Sequence, residues 1–103
     1  MRGIDASLDL VARSVSESVA RRHLERIVGP RDPFDGHAGM EATADYVADV
    51  FRRLGHSVVE DKFRVEGGWY RNVVASIKGS SSDGEVLVVA HYDTVPDTPG
   101  GAV

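Results

Sequence analysis

Five consecutive apolar residues, Val86-Leu87-Val88-Val89-Ala90, run straight into His91-Tyr92-Asp93-Thr94. The run shows no alternation of apolar and polar positions, which is the pattern of a strand covered on both faces, as inside an α/β sheet. Such a strand dictates its surroundings, because it needs cover above and below and ladder partners beside it. The residues that follow lie where its carboxyl end would open, the place where open α/β sheets bind ligands. Positions two apart on an extended chain point the same way, so the Asp93 carboxylate is expected to accept the ring N–H of His91 and fix its tautomer. A histidine backed by a carboxylate is the arrangement found behind zinc ligands, and the plainer alternative is an ordinary polar turn.

Composition narrows the chemistry further. The sequence has no cysteine, which removes disulfides, thiolate nucleophiles and cysteine-bound zinc, so any metal has to use histidine and carboxylates. A formal charge of −4, with basic and acidic residues interspersed, gives no footing for nucleic acid. No run approaches the roughly 18 apolar residues of a membrane span, and Met1-Arg2-Gly3-Ile4-Asp5 lacks the apolar core of a signal peptide, so a cytoplasmic address and no membrane partner are expected. At 103 residues the chain is expected to form a single domain that buries about 65% of its unfolded surface.

The elements follow from periodicity. Asp5 to Val28 reads as helix, but Leu8, Val11, Val15 and Val19 lie on a different side from Ala20, Leu24 and Ile27, which predicts either one long helix or a break near Ala20-Arg21-Arg22. Gly29-Pro30 ends it. Arg31 to Ala38 is a loop in which His37 reads as an exposed histidine, and His23 on the preceding helix as a solvated one. Gly39 to Leu54 is the clearest helix, with Met40, Ala44, Val47, Val50, Phe51 and Leu54 toward a sheet and Asp45 and Asp49 as a solubilising surface. His56 to Val65 and Trp69 to Ile77 read as an antiparallel hairpin turning at Glu66-Gly67-Gly68, with Val59, Phe63 and Val65 on the covered face of the first strand. Trp69 and Tyr70 are expected to pack across strands, and Lys78 to Gly84 forms a surface loop without the Lys-Ser/Thr ending of a phosphate cradle.

As a set, these segments resemble the co-catalytic di-zinc aminopeptidases, a family of zinc exopeptidases that includes glutaminyl-cyclase-like members. The likeness is carried by Val88-Val89-Ala90-His91-Tyr92-Asp93-Thr94-Val95-Pro96 with Thr98-Pro99-Gly100, by His23-Leu24 and Ile27-Val28-Gly29-Pro30-Arg31, by Leu54-Gly55-His56 and by Arg71-Asn72-Val73-Val74-Ala75. It runs from about Leu24 to Gly100 and corresponds to the N-terminal part of that family's catalytic domain. The resemblance implies a partial three-layer αβα fold, here two helices, an antiparallel hairpin and one buried strand. It also implies a site of two zinc ions that hydrolyses peptides from a free amino terminus. His91 would be a zinc ligand and Asp93 the acid orienting it.

The family places a metal-bridging carboxylate after the Pro-Gly, whereas Pro99-Gly100 is followed here by Gly101-Ala102-Val103, and the general-base Glu and later ligands have no counterpart. The expectation is therefore an N-terminal fragment of a zinc-dependent aminopeptidase-like hydrolase, one partial domain over residues 1–103, inactive as this chain alone. Two alternatives stay open: the zinc exopeptidase branch that removes acyl or C-terminal groups and also writes His-x-Asp-Thr-Val-Pro, and a non-catalytic α/β association module in which His91 is structural. An apolar strand at a sheet edge seeks a partner, so the isolated chain is expected to self-associate or to be only marginally stable. Sedimentation together with a thermal melt checks this, and a monodisperse monomer with a cooperative melt would contradict it.

Overall fold

The computed structural model describes residues 2–81 and 83–98, with side chains from residue 8 onward. The chain divides into two compact units, one comprising the N-terminal helices up to Val28 and one beginning at Gly29.

The first unit holds α1 (Arg2–Ser14) and α2 (Glu17–Ile27). The break between them falls at Val15-Ser16, earlier than the expected Ala20-Arg21-Arg22, and hydroxyl chemistry accounts for the place. Ser16 leaves the helix at φ −110°, ψ 121° and its side chain accepts the Val19 N–H at 3.3 Å, capping α2. Ser14 turns its hydroxyl back to the Val11 carbonyl at 2.7 Å, the local competition by which serines loosen a helix end. Glu17 in the first turn of α2 and Arg26 in the last complement the helix dipole. Neither Leu8, Val11 and Val15 nor any residue of α2 is buried, so the apolar stripe lies uncovered. Beyond α2, Gly29 takes φ +140°, a value that side chains disfavour.

The second unit is built on α3 (His37–Arg53) and a hairpin of β1 (Ser57–Val65) and β2 (Gly68–Ser76). Helix α3 starts two residues before the expected Gly39, from an N-cap at Gly36 that offers no side-chain cap. Its end is specified by Leu54-Gly55-His56. Gly55 at φ +85° lets its own N–H reach the Arg52 carbonyl at 2.9 Å and the His56 N–H reach the Phe51 carbonyl at 3.1 Å, the paired bonds of a Schellman termination. The hairpin reverses through Glu66 and Gly67, both at positive φ (47° and 82°), which makes a two-residue turn of the twist that antiparallel strands favour. The resulting register sets Phe63 opposite Tyr70 and Glu60 opposite Val73.

Small side chains on α3 bring it close to the hairpin. Ala44 and Ala48 are 0% exposed, and Met40 and Thr43 are buried beside them. The strand face beneath carries Val58, Glu60, Arg71, Val73 and Ala75. This inverts the expected orientation of β1: Val59, Phe63 and Val65 lie on the opposite, largely exposed face, together with Val74. Val58 and Glu60 face the helix instead, opposite Ala75 and Val73, and Glu60 meets Arg71 and Arg52 there. Leu54 is likewise exposed.

The fold of the described residues is thus mixed α/β, with three helices and a two-stranded antiparallel sheet in place of two helices and a third, buried strand. Val86 to Ala90 has no regular secondary structure and stands in solvent, from 93% exposed at Val86 to 79% at Val89. An apolar run states what a strand could bury, but a strand also needs a neighbour's N–H and C=O groups, and the ladder of the described residues joins β1 and β2 alone. The body is accordingly a helix on a hairpin, two layers where the resemblance implies three. Among the described residues no helix is long and apolar enough to cross a membrane.

Two glycines let the loop after Gly29 fold tightly around its own start. A Cβ at Gly36 would strike the Asp32 backbone and carboxylate, and one at Gly39 would run into the Pro30 carbonyl oxygen. Since that carbonyl is backbone and cannot swing aside, Gly39→Ala is expected to cost about 1–3 kcal/mol through overpacking, instead of the gain that alanine normally brings inside a helix. Urea unfolding of the two chains measures the difference.

Candidate functional site

The segment from Tyr92 to Thr94 is held to the body by residues far away in sequence. Tyr92 and Thr94 turn inward and are half-buried, while His91 and Asp93 face out, the period-2 alternation of an extended chain. The Tyr92 hydroxyl donates to the Arg71 carbonyl at 2.6 Å, reaching the middle of β2. Burial raises the pKa of this phenol. The Thr94 N–H donates to the Arg31 carbonyl at 3.2 Å, and the Thr94 hydroxyl accepts the Arg31 N–H at 3.1 Å. The Arg31 Nε donates to the Tyr92 carbonyl at 2.7 Å. Arg31 and its neighbour Asp32 are both buried, and the Asp32 carboxylate accepts the Phe34 N–H at 3.2 Å.

On the outward side, the His91 Nδ1 lies 2.9 Å from the Asp93 carbonyl oxygen and 3.3 Å from the Asp93 carboxylate oxygen Oδ1. A carbonyl can only accept, so this geometry places a proton on Nδ1, and in the neutral imidazole the lone pair then lies on Nε2. The imidazole is 85% exposed, and its Nε2 has no hydrogen bond among the described residues. The arrangement can therefore offer one oriented nitrogen donor to an incoming electrophile or metal ion. Backbone and carboxylate of Asp93 share the orienting, where the sequence pointed to the carboxylate alone.

Beneath the segment sits a charge cluster that the sequence reading passes over. The Arg71 side chain, 10% exposed, reaches from the covered face of β2 into α3. It pairs with Glu60 on the neighbouring strand, with Asp45 at 2.6 Å and with Glu41 at 3.3 Å, and it donates to the Glu41 carbonyl at 2.8 Å. Arg52 approaches the second Glu60 oxygen at 3.2 Å. The Arg71 Nε is buried with no hydrogen-bond partner among the described residues. Burial pulls the Arg71 pKa down, but its bonds to Asp45 and Glu60 outweigh this and the net shift is upward. Glu60 is held below the ordinary carboxylate range by its hydrogen bonds to Arg71 and then Arg52. Asp45, 73% exposed, lies at the solvent surface as expected and from there also pairs with Arg71; Asp49, 3.6 Å from Arg53, is exposed as well. The signal that could have shown this is an arginine in a strand opposite a helix with acids at 41 and 45, one turn apart.

The remaining candidates are structural or peripheral. His37 is the first residue of α3 and is half-buried, not exposed; its Nε2 is 3.2 Å from the Trp69 carbonyl and its ring meets Tyr70 edge-on at 5.6 Å, tying the helix start to the hairpin tip. Phe63 stacks on Tyr70 across the strands at 6.0 Å, while Trp69 is exposed with the Arg64 guanidinium 6.0 Å from its ring. His23 lies on α2. Among the described residues, no three histidine or carboxylate side chains gather as a metal site would need. Gly101, Ala102 and Val103, which stand where the resemblance places a bridging carboxylate, lie outside the described residues.

Comparison with known proteins points to the same stretch. Residues 72–103 match Peptidase family M28. The match begins inside β2 and takes in His91 and Asp93. The chain is also similar to the Uncharacterized protein YfbL of Escherichia coli (strain K12), 32% identical over 74 residues, which covers 71% of this chain and 22% of the relative. The chain thus spans about a fifth of the length of that curated relative. No solved structure matches it.

Acid should loosen the cluster. The folded-state pKa of Glu60 lies below its unfolded value, so the unfolded chain binds the extra proton and the contribution of Glu60 is complete above the unfolded value and lost as the pH falls through the folded one. Between about pH 6 and about pH 3, the melting temperature of the native chain is expected to fall more steeply than that of a Glu60→Gln variant, as calorimetry at matched ionic strength would show.

Proposed function

We propose that this chain carries the first metal-ligand segment of a zinc-dependent aminopeptidase-like hydrolase, with His91 as the ligand and Asp93 as the acid that orients it. The match of residues 72–103 to Peptidase family M28 supports peptide hydrolysis as the reaction class. The observation that carries the residue assignment is the outward His91 imidazole, with Nδ1 tied to Asp93 and Nε2 left to bind.

A complete catalytic zinc does not fit the donors present. Such a site takes about three protein ligands and keeps one position open, whereas the described residues supply one imidazole and its supporting carboxylate. No hydrolytic step is therefore assigned to this chain. Its part is to present one nitrogen from a segment anchored to Arg31 and Arg71, and in a complete enzyme of this kind further carboxylates and histidines would hold the metal ions, which polarise the scissile carbonyl and lower the pKa of the bound water. The substrate class is a peptide with a free amino terminus.

Titration with cobalt(II), followed by NMR, tests the assignment. The His91 ring and the backbone signals of residues 91–94 are expected to broaden before those of His23, His37 and His56, weakly because one imidazole is a poor chelator, and His91→Ala should abolish the response. Equal broadening at all four histidines would overturn it and favour a module in which His91 has no metal role. The same chain is expected to hydrolyse an amino-acid anilide no faster than buffer containing zinc.

A further inference from the structure

Arg31 touches the Tyr92–Thr94 segment at three points, and two of them fall on the peptide groups flanking Asp93. The carbonyl of the peptide between Tyr92 and Asp93 accepts from the Arg31 Nε at 2.7 Å. The N–H of the next peptide, between Asp93 and Thr94, donates to the Arg31 carbonyl at 3.2 Å. A peptide group is planar, so holding one of its polar atoms orients the other. The free end of that second plane is the Asp93 carbonyl oxygen, the atom 2.9 Å from the His91 Nδ1. The third point, the Thr94 hydroxyl accepting the Arg31 N–H at 3.1 Å, keeps the arginine in step with the segment.

We infer that Arg31 is a positioning residue: by pinning both peptide planes beside Asp93 it aims the Asp93 carbonyl and carboxylate at Nδ1 and so selects the His91 tautomer that exposes the Nε2 lone pair. The assignment rests, for its purpose, on the reading of His91 as a metal ligand. Its physical content is independent of metal. Arginine suits the task because its Nε–H is fixed in the plane of the guanidinium at the end of a three-carbon stem, and lysine has no donor at that place. The surrounding backbone prevents Arg31 from drifting: Gly36 and Gly39 let the loop and the start of α3 close onto residues 30–32 with no room for side chains, and Arg31 itself is 7% exposed.

The experiment reads the imidazole directly, on the metal-free 103-residue chain, by long-range nitrogen–proton NMR of the neutral His91 ring in alkaline buffer. The native chain is expected to show mainly the Nδ1–H tautomer. In Arg31→Met, which removes the Nε bond to the Tyr92 carbonyl and keeps both main-chain bonds to Thr94, the ratio of Nδ1–H to Nε2–H should fall about fivefold, the equilibrium equivalent of that one hydrogen bond, while the amide signals of β1 and β2 stay in place. Met40→Ala, which loosens the α3 core, should lower the melting temperature and leave the ratio unchanged. An unaltered ratio in Arg31→Met overturns the inference, and so does a fall of equal size in Met40→Ala, which would reduce the effect to general loosening. If Arg31→Met loses its dispersed amide spectrum, Thr94→Val decides, with a fall in the ratio expected and no change overturning it. Because no metal is present, a failed cobalt titration would leave this result standing, and a failure here would leave the titration standing.

Discussion

The guanidinium of Arg71 is the constraint on which the rest of the body depends. It lies on the covered face of β2 and meets acids from β1 and from two turns of α3, while the main-chain carbonyl of the same residue accepts the Tyr92 hydroxyl. One residue therefore joins the helix, both strands and the segment that presents His91. Partly buried ion pairs often add little net stability over an apolar equivalent, because desolvation offsets the attraction, but removing one partner leaves the others unpaired. What the cluster supplies is placement. It ties the helix to one face of the hairpin, through Glu60 on β1 and Glu41 and Asp45 on α3.

From there the geometry of the candidate site follows in two steps. Tyr92 and Thr94 are the inward residues of an extended stretch and make its bonds to Arg31 and Arg71; His91 and Asp93 are the outward residues and bond to each other. The scaffold is fixed by groups that take no part in what it presents. Such separation suits a ligand-bearing segment, since a donor held by its neighbours loses less freedom when it binds.

Much of this could be read from the residues where the information is local. Leu54-Gly55-His56 specifies a helix end because only glycine takes φ +85° easily, and Glu66-Gly67 specifies the hairpin turn. The facing of His91 and Asp93 follows from a two-residue repeat. What could not be read depends on contacts between distant residues. Val59, Phe63 and Val65 looked like the covered face of β1, but Glu60 meets Arg71 on the helix side, and no periodicity within β1 contains Arg71. Val86 to Ala90 has the composition of an interior strand, yet strands are made by neighbours, and none pairs with it among the described residues. Arg31 read as a loop residue because nothing near it in sequence shows what lies 61 positions on.

The interleaving of anchored and presented residues between His91 and Thr94 also limits how this stretch can vary over evolutionary time. Exchanging one side chain there changes one function, fastening or display. Gaining or losing a single residue would swap the two sets, turning imidazole and acid into the protein and tyrosine and threonine out to water. Length is thus the stricter constraint on this part of the chain, the reverse of what is usual in an exposed loop.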